Sequence, residues 1–480
     1  MELTGTGPAY LRLYRGLRDA ILGGRLARGA ALPSTRQLSG SLALSRNTVL
    51  RAYEQLIAEG FAMARRGGGT FVVDQIVGEP LLAPLGHAPI QLGAQGRRIE
   101  TAVMQNLFVE IGTLAPVRYD FLFGVPDASL FPIQDWRTTV SRCIDRASKR
   151  TLGYDHPSGV MRLRELVAAH IVKHHGVRCH ADQVAIVNGA QQAFDLLARI
   201  LLEPGDAVLL EDPCYPAIRT TLQAAGARIV AAPVDTDGVD VEAADRDLRD
   251  QCRLAYVTPA HQFPTGAVMS APRRRALLAW AARVGAVVIE DDYDGDYRHI
   301  GAPTQALQGM DVERIVHVGT FSKSFFPALR MAYVVLPASL VMPFATAKWI
   351  ADWSSSALIQ HALADFIEGG HFTRHLKRSS VIYARRRRTL LAMIKRELGD
   401  RAIVTGGDAG MHVVLWLPEL ALDAVPSLVT RARSLGVGVY PVSAFYSQPP
   451  PTAGLVLGYS GLSEPQIAEG IALLASTIRA

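Results

Sequence analysis

Cysteine is scarce. Four cysteines in 480 residues, Cys143, Cys179, Cys214 and Cys252, stand far apart and form no Cys-x-x-Cys pair. That excludes a disulfide framework and a cysteine zinc site, no metal site is expected, and the spacing suits a reducing cytosol. Long apolar runs are missing too: nothing approaches the roughly eighteen residues a membrane helix needs, and no basic-then-apolar leader opens the chain. The nearest candidate, 331–345, is interrupted by Pro337 and Pro343 and reads as a buried strand and its exit. A soluble, cytoplasmic protein is expected. Lysine is absent from residues 1–75, which hold ten arginines against five acids. Of the chain's net charge of +6, +5 therefore sits in this head. Such a head points to an anionic partner, although an arginine-rich solvated surface would have the same composition.

The chain is 49% hydrophobic and 20% charged, enough for sizeable cores. At roughly 150 residues per domain its length allows about three structural units. In the head, Tyr10, Tyr14, Leu17 and Ile21 follow helical spacing, and Gly23-Gly24 stops that helix. Ser34 and Gln37 are spaced as a capping box for a second helix. Ser45 is the expected N-cap of a third, with Val49, Tyr53 and Leu56 as its buried stripe. Two short strands around the turn Arg65-Arg66-Gly67-Gly68-Gly69 then make a hairpin. Three helices and a hairpin are the plan of a winged helix-turn-helix. In such a unit the first turn of the third helix, Ser45, Arg46, Asn47 and Thr48, reaches bases and phosphates of double-stranded DNA. Arg36 and Arg51 are placed for the backbone, and Gly68 lets the wing approach a minor groove.

Residues 76–118 carry several Pro and Gly and read as a linker, with a helix possible between about 98 and 112. From 119 onward, short apolar runs alternate with helical patterns. The runs 184–187, 208–210, 254–257, 287–289, 315–318 and 333–336 look like strands of a parallel sheet covered on both faces by helices. From about 346 the pattern changes to long helices followed by short strands at 411–417, 437–440 and 455–459, a smaller part of the same domain. The run Arg385–Arg388 falls in a helix expected from about 374 to 398, where it reads as a solvated face.

One lysine stands out. Lys323 lies in VGTFSKSFFPALRMAYVV, in a Ser/Thr-rich turn after a buried strand. Its company matches what pyridoxal 5′-phosphate asks of a protein. Lys323 offers the Schiff-base amine, and Asp291 a carboxylate for the pyridine nitrogen. Tyr293 is a donor for the ring hydroxyl and Tyr215 a ring to stack. Thr320, Ser322 and Arg330, with Ala190 and Gln191 at a helix start, suit the phosphate.

These residues carry two resemblances. The head, through LPSTRQL, SRNTV, AYEQL, EGF and the wing RRGGGTFV, resembles the GntR-type winged helix-turn-helix. The body, through GYDHPSG, NGAQQAFDLL, EDPCYP, TPAHQFPTG, IEDDYD and SKSFFPALR, resembles the fold-type I aminotransferases. Head and body in this order resemble the MocR/GabR-type regulators over essentially the whole chain. The resemblance implies an α/β aminotransferase-like domain that senses rather than turns over, and a head-to-tail homodimer. It also implies that Tyr154 reaches the cofactor phosphate of the partner subunit.

Two positions depart from working aminotransferases. Phe263 replaces the Asn of their Asn-Pro-Thr-Gly segment, and Val456, in GLVLGYSGLSE, stands where an Arg clamps the substrate carboxylate. The effector is then held by another Arg, lacks that carboxylate, or is the cofactor itself. Three functions fit: a cofactor-dependent regulator, an aminotransferase with an accessory DNA-binding head, and a DNA-binding protein whose body only dimerises.

Overall fold

The computed structural model describes residues 7–65, 68–74, 90–103, 115–148, 152–248, 252–300 and 305–479. The chain divides into two compact units, residues 1–91 and 92–480.

The first unit is built from α1 (Ala9–Leu22), α2 (Thr35–Ser41) and α3 (Arg46–Ala58), followed by β1 (Ala62–Arg65) and β2 (Gly69–Val72). At seven residues, α2 is too short to persist alone. Its capping box is complete: the Gln37 amide donates to Ser34 Oγ, while Gln37 Oε1 accepts from the Ser34 amide at 3.0 Å. Leu38 anchors the helix in a core of Leu13, Tyr14, Leu17, Val49, Tyr53 and Leu56. Burial pushes the Tyr53 phenol up to about 12, and its hydroxyl donates to Pro33 O at 2.7 Å, tying α3 to the entrance of α2. Tyr10, which shares the helical spacing of Tyr14, Leu17 and Ile21, is only half-buried, and its ring receives the Arg51 guanidinium at 5.3 Å.

In the second unit, helix Ala94–Val103 packs on helix Pro216–Ala225, with Arg98 Nε donating to Ala224 O at 3.1 Å. The expected linker 76–118 thus contains a helix that belongs to the larger unit and begins earlier than expected. The main sheet has eight strands in the order 184–187, 332–335, 315–320, 287–292, 252–257, 207–212, 228–235 and 238–239. It is not wholly parallel: Ala332–Val335 runs antiparallel to both neighbours, and Gly238–Val239 is an antiparallel edge. Apolar composition reports burial on both faces and is silent on strand direction. Strand Arg228–Asp235 went unseen because its exposure alternates and its ends are charged.

A four-stranded antiparallel sheet, 403–405, 412–416, 454–458 and 440–441, forms the second layer. Tyr119–Asp120, expected to open the large part, pairs instead with Val437–Gly438 of the carboxy-terminal layer, and Phe121 is buried in that layer's core. Residues 331–345 are a strand and then a helix, since Ala338–Asp352 starts directly after Pro337 and carries Pro343 in its second turn at the loss of one backbone donor. The arginine run lies on helix His371–Leu398, and its middle is not a solvated face. Arg386 is buried and pairs with Asp127 at 2.7 Å, Arg387 with Asp408 at 3.5 Å and the outward Arg385 with Glu464 at 2.7 Å. Every helix among the described residues is too short or too polar to cross a membrane.

Candidate cofactor site and DNA-reading head

Loops at the carboxyl ends of five strands of the main sheet meet on one edge, where open α/β sheets bind ligands. They enclose a cavity of about 630 Å³ lined by Lys323, Asp291, Tyr293, Tyr215, Thr320 and Ser322, and also by Arg330, Ala190 and Gln191. Nine of the ten residues singled out in the sequence for the cofactor therefore converge within one chain.

Asp291 sits at the end of strand Val287–Asp292, 6% exposed. Burial pushes its carboxyl up to about 7, against the opposing hydrogen bond from Tyr256, whose hydroxyl donates to Oδ2 at 2.6 Å. Its Oδ1 is buried with no partner. An unsatisfied buried carboxylate oxygen is costly unless something donates to it, and a protonated pyridine nitrogen is such a donor. Lys323 Nζ donates to Gly124 O at 2.5 Å, and burial lowers the pKa of the amine against the pull of Asp294 and Asp291. A lysine so shifted is closer to the neutral, nucleophilic form.

At the other end of the cavity, helix Ala190–Leu201 opens after Gly189, whose φ of 89° admits no ordinary side chain. A Cβ there would lie 2.5 Å from Arg330 Nη2. Arg330 itself has φ 51°, a strained value for a residue with a side chain, and donates to Asn188 O at 3.3 Å. Free N–H groups of the helix start, a guanidinium and the hydroxyls of Thr320 and Ser322 make an anion cradle. These residues fit pyridoxal 5′-phosphate at both its nitrogen and its phosphate.

Tyr293 does not stand alone: its hydroxyl is 3.0 Å from His261 Nδ1, which also meets Asp294 Oδ2 at 2.9 Å. Burial opposes a charge on His261, but the Asp294 carboxylate outweighs it and raises the imidazole pKa. Tyr215 is partly covered, and burial pushes its phenol up to about 12. Phe263 is 6% exposed, with ring centres 5.9 Å from Tyr215, 5.8 Å from Tyr293 and 5.7 Å from Phe123. A ring thus stands where an Asn donor was missed. Val456 is fully buried in the same aromatic cluster.

Tyr154 is the exception. It is 82% exposed, leans on Trp353 at 4.9 Å between ring centres, and lies outside the cavity of its own chain. Sequence reasoning missed Tyr256, Gly124, Phe123 and His412. Tyr256 was hidden in the apolar run LAYV, where a tyrosine's one polar atom was the available signal.

In the head, Ser45, Arg46, Asn47, Arg36, Arg51 and Gly68 are exposed and Thr48 is half-exposed. Two of them are already engaged. Ser45 Oγ accepts from the Thr48 amide at 3.1 Å and lies 2.8 Å from Thr48 Oγ1, so both side chains cap α3. Arg46 remains extended on the surface, with Nε 3.5 Å from Thr35 Oγ1. In the wing, Gly69 has the positive φ of 97°, whereas Gly68 closes the turn on Arg65 O at 3.0 Å. Arg66 and Gly67 lie outside the described residues.

The head is a DNA-binding helix-turn-helix and the body an aminotransferase fold. Residues 9–72 match the gntR family of bacterial regulatory proteins, and residues 122–470 match aminotransferase class I and II. The chain belongs to the MocR/GabR-type transcriptional regulators, which join these two modules. It is 35% identical over 98% of its length to a probable rhizopine catabolism regulatory protein of Rhizobium meliloti, covering 94% of that protein. It is 30% identical to a pyridoxine biosynthesis transcriptional regulator of Corynebacterium glutamicum, over 94% of this chain and 92% of the other. Among solved structures, the α-aminoadipate aminotransferase LysN of Thermus thermophilus, complexed with a phosphopyridoxyl-leucine adduct, has TM-score 0.71 and 28% identity, over 81% of this chain and 97% of that one.

Proposed function

We propose that this regulator is a sensor that carries pyridoxal 5′-phosphate on Lys323 and reads either the cofactor or an amino compound. The cofactor supplies an electrophilic aldehyde and an electron-withdrawing ring. Lys323 offers the amine, Asp291 holds the ring nitrogen protonated, Tyr293 faces the ring hydroxyl, Tyr215 stacks, and Arg330 with the start of helix Ala190–Leu201 holds the phosphate. The observation that carries the reading is the buried, unpartnered Oδ1 of Asp291 in the cavity that contains Lys323.

The protein acts as a head-to-tail homodimer in the cytoplasm. The exposed aromatic surface of Tyr154, Trp349 and Trp353 supports a partner there, through which Tyr154 reaches the other subunit's phosphate cradle. Two heads on one dimer bind an operator of two separated half-sites with a gain from effective concentration. Ligand in the body changes DNA affinity by its difference in binding free energy between two body states. Catalysis is absent or limited to weak half-reactions, because Phe263 and Val456 occupy the places of two groups a transaminase uses.

The test is a titration of operator DNA with and without cofactor, beside the absorbance spectrum of the protein. A visible band on cofactor addition that is lost in Lys323→Ala, with DNA affinity that depends on the cofactor, is expected. Random duplex bound as tightly as the operator at physiological salt would count against it. The second reading, an aminotransferase with an accessory head, is favoured by the intact Lys323–Asp291–Tyr256 geometry. Steady turnover of an amino donor and a keto acid would establish it.

A further inference from the structure

The cavity has two chemically different ends. Arg330 and the first turn of helix Ala190–Leu201 form a cradle suited to an anion at one. Phe123, Tyr215, Phe263 and Met411 wall the other. Behind Phe123 and Phe263 stands Val456, fully buried with Tyr440 and Phe445. Val456 pairs with Val414 on one neighbouring strand and Tyr440 on the other, so the flanking positions are uncharged as well.

The polar groups on this side also have the wrong sign for an acid. Burial pushes the His412 imidazole down to about 3, so the ring is neutral. Its Nε2 lies 3.0 Å from Pro264 O and can meet that carbonyl only as a donor, which leaves Nδ1 as an acceptor. Asp294 and Asp291 add two carboxylates to the lining. Among the described lining residues the cations are Lys323, the reacting amine, and Arg330 at the phosphate end. Among the described lining residues, a ligand carboxylate on the aromatic side would lose its water and find no guanidinium in exchange.

We propose that the effector is a primary amine that lacks a carboxylate and carries an aromatic or branched aliphatic side chain, seated against Phe123 and Phe263. This rests on the reading of the cavity as a cofactor-bearing sensor. The amine would take the place of the Lys323 amine on the cofactor's aldehyde carbon, releasing the lysine, and the side chain exchanges water for rings, where aromatic pairs add to simple burial. An amino acid with the same side chain pays to bury its carboxylate.

The experiment uses the full-length protein reconstituted with pyridoxal 5′-phosphate and two probes that differ only by a carboxylate, phenethylamine and phenylalanine. Binding is followed by calorimetry and by the shift of the visible band. Phenethylamine is expected to bind at least about tenfold more tightly. Ethanolamine, an amine without the apolar group, is expected to bind at least about tenfold more weakly than phenethylamine. Phenylalanine binding as tightly as phenethylamine, or ethanolamine doing so, overturns the proposal. No heat and no spectral shift with phenethylamine also overturns it, and a visible band in that sample leaves the sensor reading standing. No band at all removes the sensor reading and the proposal with it. Val456→Arg is expected to raise phenylalanine affinity at least about tenfold. The probe comparison on the unaltered protein decides the matter even where that variant does not fold.

Discussion

Tyr256 donates its hydroxyl to Asp291 Oδ2 at 2.6 Å and leaves Oδ1 of the same buried carboxylate unpartnered. One oxygen is held by a neighbouring strand of the sheet, and the other is buried without a partner. Asp291→Asn keeps the shape, removes the charge, and is expected to weaken pyridoxal 5′-phosphate binding by at least about tenfold in an absorbance titration. Tyr256→Phe frees the second oxygen and is expected to have a smaller effect of the same sign.

The same carboxyl makes stability depend on pH. Burial raises the Asp291 pKa from 3.8 to about 7, so the folded state holds a proton that the unfolded state has released. The stabilisation from this group is complete below the unfolded value and is lost as pH rises through about 7. A difference of about three pKa units corresponds to roughly 4 kcal/mol. Glu211, also buried and pushed up to about 7, adds a slope of the same sign. The cofactor-free protein is therefore expected to lose melting temperature between pH 4.5 and 7.5, a range set around these values, about half as steeply in Asp291→Asn. Thermal melts across that range check it.

Gly124 carries φ 70° and accepts from Lys323 Nζ, and a Cβ at this position would lie 2.9 Å from that nitrogen. Gly124→Ala is expected to reduce the rate of cofactor capture more than Gly205→Ala, a control at φ 100° with open space around it. Stopped-flow absorbance reads the difference.

Arg46 and Arg36 are expected to separate two kinds of DNA contact. Arg46→Ala, in the first turn of α3, costs about 1–3 kcal/mol and relaxes sequence preference at one operator position. Arg36→Ala weakens binding to all duplexes alike and lowers the salt slope by about 1. Fluorescence anisotropy at several salt concentrations distinguishes them.

Ser34→Ala removes one half of the capping box that holds α2. A loss of about 1 kcal/mol is expected in the unfolding of the head. DNA affinity should fall with it, because α2 positions α3 through Leu38 and the Tyr53–Pro33 hydrogen bond.

Elements that close on themselves were legible in the sequence. Caps, helical spacing and the glycines of the wing are local, and the three head helices lie where those signals put them. Six sheet strands were legible because a strand covered on both faces must be apolar throughout. The strand Arg228–Asp235, next to the short edge strand and half-exposed, broke that rule and was missed. The fate of the arginine run depended on Asp127, far away in the chain, and on Asp408, in the layer that follows the helix.

By itself the sequence determined which groups this protein carries: an amine at 323, a carboxylate at 291, a phenyl ring at 263, a valine at 456 and an arginine-rich head. Only the tertiary structure decided that Asp291 keeps one oxygen open, that His412 is neutral, and that Val456 closes an aromatic wall. The reason is physical. Residue type sets what a side chain can donate, accept or ionise. Burial and partners brought from distant segments set which of those capacities remains available.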